Sequence, residues 1–185
     1  MRLFPILAIA AAIIGCGCSR LPAEDAANAH VGAASTPFAP IPSDGELLAR
    51  GEYLIRTSGC NDCHTAGYAE QQGNLDKAQW LTGSPMGYKG PWGTTYAANL
   101  RLKLADMDEA QWLDYSGSLR TRPLMPDFAL RAMSADDRRA IYRFIRSLGP
   151  AGSPAPPYLP PGQTPARPYF ELVLPAAPPV AVAAG

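Results

Sequence analysis

Only two histidines, His30 and His64, occur in the 185 residues. That scarcity leaves a structural zinc site without its second pair of ligands. There is no excess charge of either sign, since Lys+Arg and Asp+Glu balance at 16 each. A nucleic-acid-binding reading therefore has no electrostatic footing. Cysteines number four, and two of them, Cys16 and Cys18, fall in a leader, which is too few for a disulfide framework. Charged residues are sparse at 17%, while Pro and Gly reach 20 and 17. Such a balance describes one modest folded core with non-core attachments.

What is present centres on Gly59-Cys60-Asn61-Asp62-Cys63-His64-Thr65. Cys-x-x-Cys-His is the attachment motif of a c-type haem. The two thiols add to the porphyrin vinyl groups as thioethers, and one turn of backbone brings both sulfurs to one edge of the ring. His64 then supplies the proximal imidazole to iron. A thioredoxin-like redox pair would need a βαβ setting, and the surrounding sequence has none. The cofactor read from the motif is one covalent haem c on Cys60 and Cys63.

The wider stretch, Arg50-Gly51-Glu52-Tyr53-Leu54-Ile55 running into Cys60 to Thr65, resembles the class I cytochrome c family. It looks most like the mono-haem domains that accompany bacterial membrane dehydrogenases. The resemblance covers roughly Ser43 to Leu148 and is strongest at the haem motif and around Met125. It implies an all-α fold, a small domain of three to four helices wrapped round one haem. It also implies electron transfer to or from a redox partner, such as a dehydrogenase or a terminal oxidase.

Met1 to Gly15 has a positively charged start and an apolar run from Leu3 to Ile14. It is too short for a membrane span and reads as a secretory signal. Ile13-Ile14-Gly15-Cys16 resembles a bacterial lipoprotein cleavage site, which would make Cys16 the lipidated first residue of the mature chain. An ordinary signal with an incidental cysteine is the plainer alternative. Cys18 fits the cleavage pattern worse and has no assigned role. Export suits the motif, because covalent haem addition needs free thiols outside the cytoplasm. A periplasmic protein tethered to a bacterial membrane follows.

The expected organisation is a signal over 1–15, a flexible Ala/Pro-rich tether over 16–42, a folded domain over 43–149 and a Pro/Ala-rich tail over 150–185. His30 lies in the tether and reads as solvated. Ser43-x-x-Glu46 has the form of a capping box opening the first helix. Leu47, Leu48, Gly51, Leu54, Ile55 and Ser58 then follow at helical spacing. A mid-helix glycine costs ~1 kcal/mol relative to alanine, and in the family the first and last helices cross closely, so Gly51 is placed at that crossing. From Ala66 to Gly90 turn signals dominate, with a short helix over Leu75 to Leu81. Gly90 to Tyr96 reads as a rigid aromatic segment, where Trp92, Tyr96 and Asn99 are candidate donors to the haem propionates. Core packing by the two aromatics is the alternative. Asp106 with Glu109 opens a middle helix, and Ser118 to Leu130 reads as an irregular loop. Ser134 opens the last helix, whose apolar face is Ala140, Ile141, Phe144, Ile145 and Leu148, stopped by Gly149-Pro150. Eleven of the 20 prolines lie from Pro150 onward, so the tail is extended and forms no helix or central strand. Its aromatic and leucine residues suggest packing on the domain or on a partner.

The second axial ligand has four candidates after His64: Met86, Met107, Met125 and Met133. Met86 follows too soon for the chain to round the haem edge, and Met107 and Met133 sit at helix starts, where methionine packs. Met125 lies in a loop far along the chain, and Pro126 holds it extended. Leu124-Met125-Pro126-Asp127-Phe128 also resembles the family's Met-Pro ligand loop. The reading is thus a non-enzymatic one-electron carrier with His64 and Met125 on iron. Two alternatives stand beside it: a five-coordinate haem sensor, or a scaffold lipoprotein with a structural haem.

Overall fold

The computed structural model describes residues 43–175. The signal, the tether with His30, and the expected lipid anchor Cys16 lie outside the described residues. So do the last ten residues of the tail.

Helix α1 (Asp44–Thr57) opens with the expected capping box, in which the Ser43 side chain takes the Glu46 amide and the Glu46 side chain takes the Ser43 amide. Gly59, at φ 71°, turns the chain into a five-residue helix α2 (Cys60–His64). Helix α6 (Ala135–Ser147) is capped by Ser134, carries Asp136 and Asp137 in its first turn and buries Ala140, Ile141, Phe144 and Ile145. It lies across α1 at Gly51, where the backbones meet. Burying Ile141 and Phe144 there contributes ~1.5–3 kcal/mol each before the entropy cost. Around this crossing the core gathers Leu54, Ile55, Trp80, Leu81, Leu104 and Trp112.

The arginines on the outer side of α6 tie it to its neighbours. Arg139 and Arg143 both pair with Glu109 at the start of α4 (Glu109–Ser118). Arg146 donates to the carbonyls of Leu104 and Ala105, which close α3 (Leu100–Ala105). Reciprocally, the buried Arg101 of α3 donates to the carbonyls of Leu148 and Gly149 at the end of α6. Each guanidinium thus satisfies the orphan carbonyls of the other helix.

The structure is richer in elements than the sequence suggests. Among the described residues there are six helices, with α5 at Asp127–Ala132, and a small three-stranded sheet. Helix α5 begins within the stretch expected to be an irregular loop and runs two residues past its end. The expected helix over Leu75 to Leu81 shortens to a 3₁₀ turn, Lys77–Gln79. The middle helix α4 is capped by Asp108, not Asp106, because the Asp108 carboxylate and Gln111 exchange bonds with each other's amides. Asp106 instead ends α3. The aromatic segment Gly90 to Tyr96 supplies the turn and second strand of a hairpin, β1 (Gly87–Gly90) against β2 (Gly93–Tyr96). From the tail, β3 (Tyr169–Glu171) runs parallel to β1 on the sheet's outer side, in the order β2-β1-β3. The described part of the tail is therefore extended, as its prolines require, and laid along the domain.

Candidate functional site

Cys60, Cys63 and His64 enter one cavity of about 270 Å³, and Met125 lines the same cavity. Its floor is the helix crossing, through Ile55, Ile141 and Ile145, and Trp112 closes one side. The Trp112 indole is held by donating to the Arg138 carbonyl at 2.7 Å. Tyr88, Thr95 and Tyr96 of the hairpin and the loop carrying Met125 complete the rim.

The ligand-bearing segment is fixed from behind. His64 is buried, and its Nδ1 lies 2.7 Å from the Ala98 carbonyl oxygen. Only an Nδ1–H satisfies that contact, so the free lone pair belongs to Nε2. Burial pushes the His64 pKa down, against the smaller upward pull of the Ala98 carbonyl, which favours the neutral ring. Thr65 donates to Asn61 Oδ1 at 2.7 Å and accepts the Leu81 amide at 2.7 Å. The Gly83 amide donates to the His64 carbonyl at 2.8 Å. These bonds lock the one-turn helix onto the 66–83 segment.

Both thiols are free. Burial pushes the Cys60 thiol up to about 11, which keeps it a neutral apolar group rather than a thiolate. Burial, and then a hydrogen bond with Cys63, push the Tyr88 hydroxyl above the ordinary phenol range. Among the described residues no three His, Cys, Asp or Glu side chains converge as a metal-ion cluster. The donor set is therefore two free cysteine side chains, one imidazole and one thioether around an apolar cleft. That set suits a flat, largely apolar macrocycle with a central metal, held covalently at one edge.

The other methionines fall elsewhere. Met86, Met107 and Met133 do not line the cavity, and Met133 packs against the core cluster. Of the three residues expected to meet haem carboxylates, the cavity includes Tyr96 alone. The Trp92 indole donates to the Tyr88 carbonyl at 3.3 Å. Asn99 is buried as the N-cap of α3, with Oδ1 taking the Leu102 amide and Nδ2 donating to Ala151 and Ser153 carbonyls. Trp92 and Asn99 thus lie outside the cavity lining, with their polar groups engaged in these bonds. The sequence signal for Asn99 was a cap signal, since Asn before a short apolar run favours that position. Lys103 and Arg122 also line the cavity. Neither was singled out by spacing, because α3 is too short to show a period and Arg122 sits in a loop.

Residues 48–149 match the family model described as Cytochrome c. The cytochrome c subunits of quinone alcohol dehydrogenase from Gluconacetobacter polyoxogenes and from Komagataeibacter europaeus are each 29% identical to this chain over 135 residues. Each alignment covers 65% of this chain and 26% of the relative, so the chain spans about a quarter of the length of these relatives. No solved structure matches the chain.

Proposed function

The chain belongs to the cytochrome c family, binds haem c covalently and carries electrons, and on that premise we propose that it is a membrane-tethered periplasmic one-electron carrier with His64 and Met125 as axial ligands. The observation that carries this reading is that a neutral histidine with its Nδ1 committed and a methionine line the same cleft. When bound, the haem supplies the reversible ferric/ferrous couple.

The chain's own residues then have separable tasks. Cys60 and Cys63 hold one edge of the macrocycle as thioethers. The Ala98 carbonyl fixes the His64 ring so that Nε2 faces the metal position. Met125 presents a soft neutral sulfur, which favours the reduced iron and raises the potential. Ile55, Trp112, Ile141 and Ile145 keep water from the buried side. Tyr96 and Lys103, which line the cavity, would meet the propionates. With His64 and Met125 both holding the metal, no position would remain there for a substrate, and the chain would carry electrons rather than act as a catalyst. Cys16 is the lipid anchor, and the partner is a dehydrogenase, in keeping with what the two relatives are named for.

A potentiometric titration of the haem-loaded full chain, followed by absorbance, tests this reading. A single one-electron step and indifference of the ferrous protein to carbon monoxide are expected. Ready carbon monoxide binding would instead identify a five-coordinate sensor, a reading favoured by the 38% exposure of Met125.

A further inference from the structure

The tail meets the domain at the hairpin and at the loop that carries Met125. Thr94 and Leu159 exchange both backbone bonds, at 2.8 and 3.0 Å. A Cβ on Gly93 would stand 2.2 Å from the Leu159 carbonyl oxygen, and Gly93 has φ +94°. The hairpin turn therefore accepts the tail only because that position is glycine. Next to Leu159, the Tyr158 hydroxyl donates to the Trp92 carbonyl at 2.9 Å. The Arg122 guanidinium lies over the Tyr158 ring, 3.7 Å from its centroid. One residue on, the Pro123 carbonyl accepts from Thr95 Oγ1 of β2 at 2.8 Å.

The opposite end of the same loop is held by α5. The Asp127 carboxylate accepts the Thr121 amide at 2.7 Å and pairs with Arg131 at 2.6 Å. On its outer side, by contrast, the loop exposes Leu124 and Met125. Its order there depends on Thr95 and on Tyr158.

We propose that Tyr158 is a positioning residue: bracketed between the Trp92 carbonyl and Arg122, it clamps the 119–126 loop and so sets how firmly Met125 is presented to the cleft. The tail is then a strap on the ligand loop. Its effect on the haem rests on Met125 being the axial ligand, while its effect on the loop does not.

Three haem-loaded full-length proteins test this: the parent, Tyr158→Phe and Tyr158→Ala. Tyr158→Phe keeps the ring under Arg122 and loses only the bond to Trp92. Limited trypsin digestion reads the loop at the Arg120–Thr121 bond, and the weak far-red ferric band of methionine ligation reads the iron. Tyr158→Ala should speed cleavage after Arg120 by roughly two- to five-fold, the factor that one exposed cation–π contact corresponds to. Cleavage after Arg50 and Arg143 should keep the parent's rate, and the far-red band should weaken. Tyr158→Phe should stay near the parent in both readouts. Parent-like cleavage after Arg120 in Tyr158→Ala would overturn the proposal, as would equal acceleration at all three bonds. If the parent lacks the far-red band, the ligand reading of Met125 fails, and cleavage after Arg120 alone decides the clamp.

Discussion

A Cβ placed on Gly51 would stand 2.1 Å from the carbonyl oxygen of Ala140 and 2.6 Å from the Phe144 Cβ. Helices α1 and α6 thus touch backbone to backbone, and the floor of the cleft is built on that contact. Gly51→Ala raises helix propensity by ~1 kcal/mol, yet it forces the helices apart. The variant should be less stable than the parent by ~1–3 kcal/mol, the usual cost of overpacking. Denaturant unfolding measures this, and a gain in stability would show that the crossing yields.

The Asp127–Arg131 pair gives the ligand loop an acid limit. Its hydrogen bond to Arg131, then that to the Thr121 amide, hold the Asp127 carboxyl below its ordinary value of 3.8. A depressed carboxylate contributes stability that is present above the unfolded-state value and lost as pH falls through the folded one. Trypsin cannot report at such pH, so hydrogen exchange over 119–126 is the measure. The parent loop should be protected at pH 7 and lose protection below about pH 4. Asp127→Asn should be less protected at pH 7 and show a smaller loss across that acid range. Identical profiles would remove Asp127 from the loop's support.

Stopping the chain after Gly149 should separate haem attachment from stability. Among the described residues none of the tail's hydrogen bonds reaches α2, so covalent haem should be retained. The buried Asn99 amide, however, would lose its partners Ala151 and Ser153, and β1 would lose β3. Each such hydrogen bond contributes ~0.5–1.5 kcal/mol to stability. The truncated protein should therefore melt lower than the parent while showing the same pyridine haemochrome. Failure to take up haem would place the tail within the haem-binding core.

The anchor prediction concerns a residue outside the described structure. Ile13-Ile14-Gly15-Cys16 makes Cys16→Ser a direct test. The variant should leave the membrane fraction or accumulate with its leader attached. A processed, membrane-bound Cys16→Ser protein would assign the tether to another segment.

The features readable in the sequence were those with a strong local signature. Ser43 with Glu46 marked the first helix, and the stripe from Ala140 to Ile145 marked the last. Gly51 marked their crossing through the resemblance to class I cytochromes c, and it is where the backbones meet. The haem motif was legible because its chemistry fixes both residue type and spacing. Helices α3 and α5 were missed because six residues are under two turns, too few to show a period. The capping role of Asn99 was not read because a capping amide and a ligand-binding amide look alike in sequence. The sheet had no local signal: β1 and β2 are four residues each, with glycine at one or both ends, and β3 pairs with β1 across some eighty residues of chain. That pairing arises from tertiary contact, which composition alone does not encode.

The most direct measurement is the far-red ferric band of the haem-loaded protein, compared between the parent, Met125→Ala and the leucine variants of Met86, Met107 and Met133. Met125→Ala removes the only methionine sulfur in the cleft among the described residues. The band should vanish in that variant, its reduction potential should fall and its ferrous form should bind carbon monoxide. The three leucine variants should keep the parent's spectrum and potential. A band that survives Met125→Ala, or disappears in one of the others, would contradict the His64–Met125 assignment.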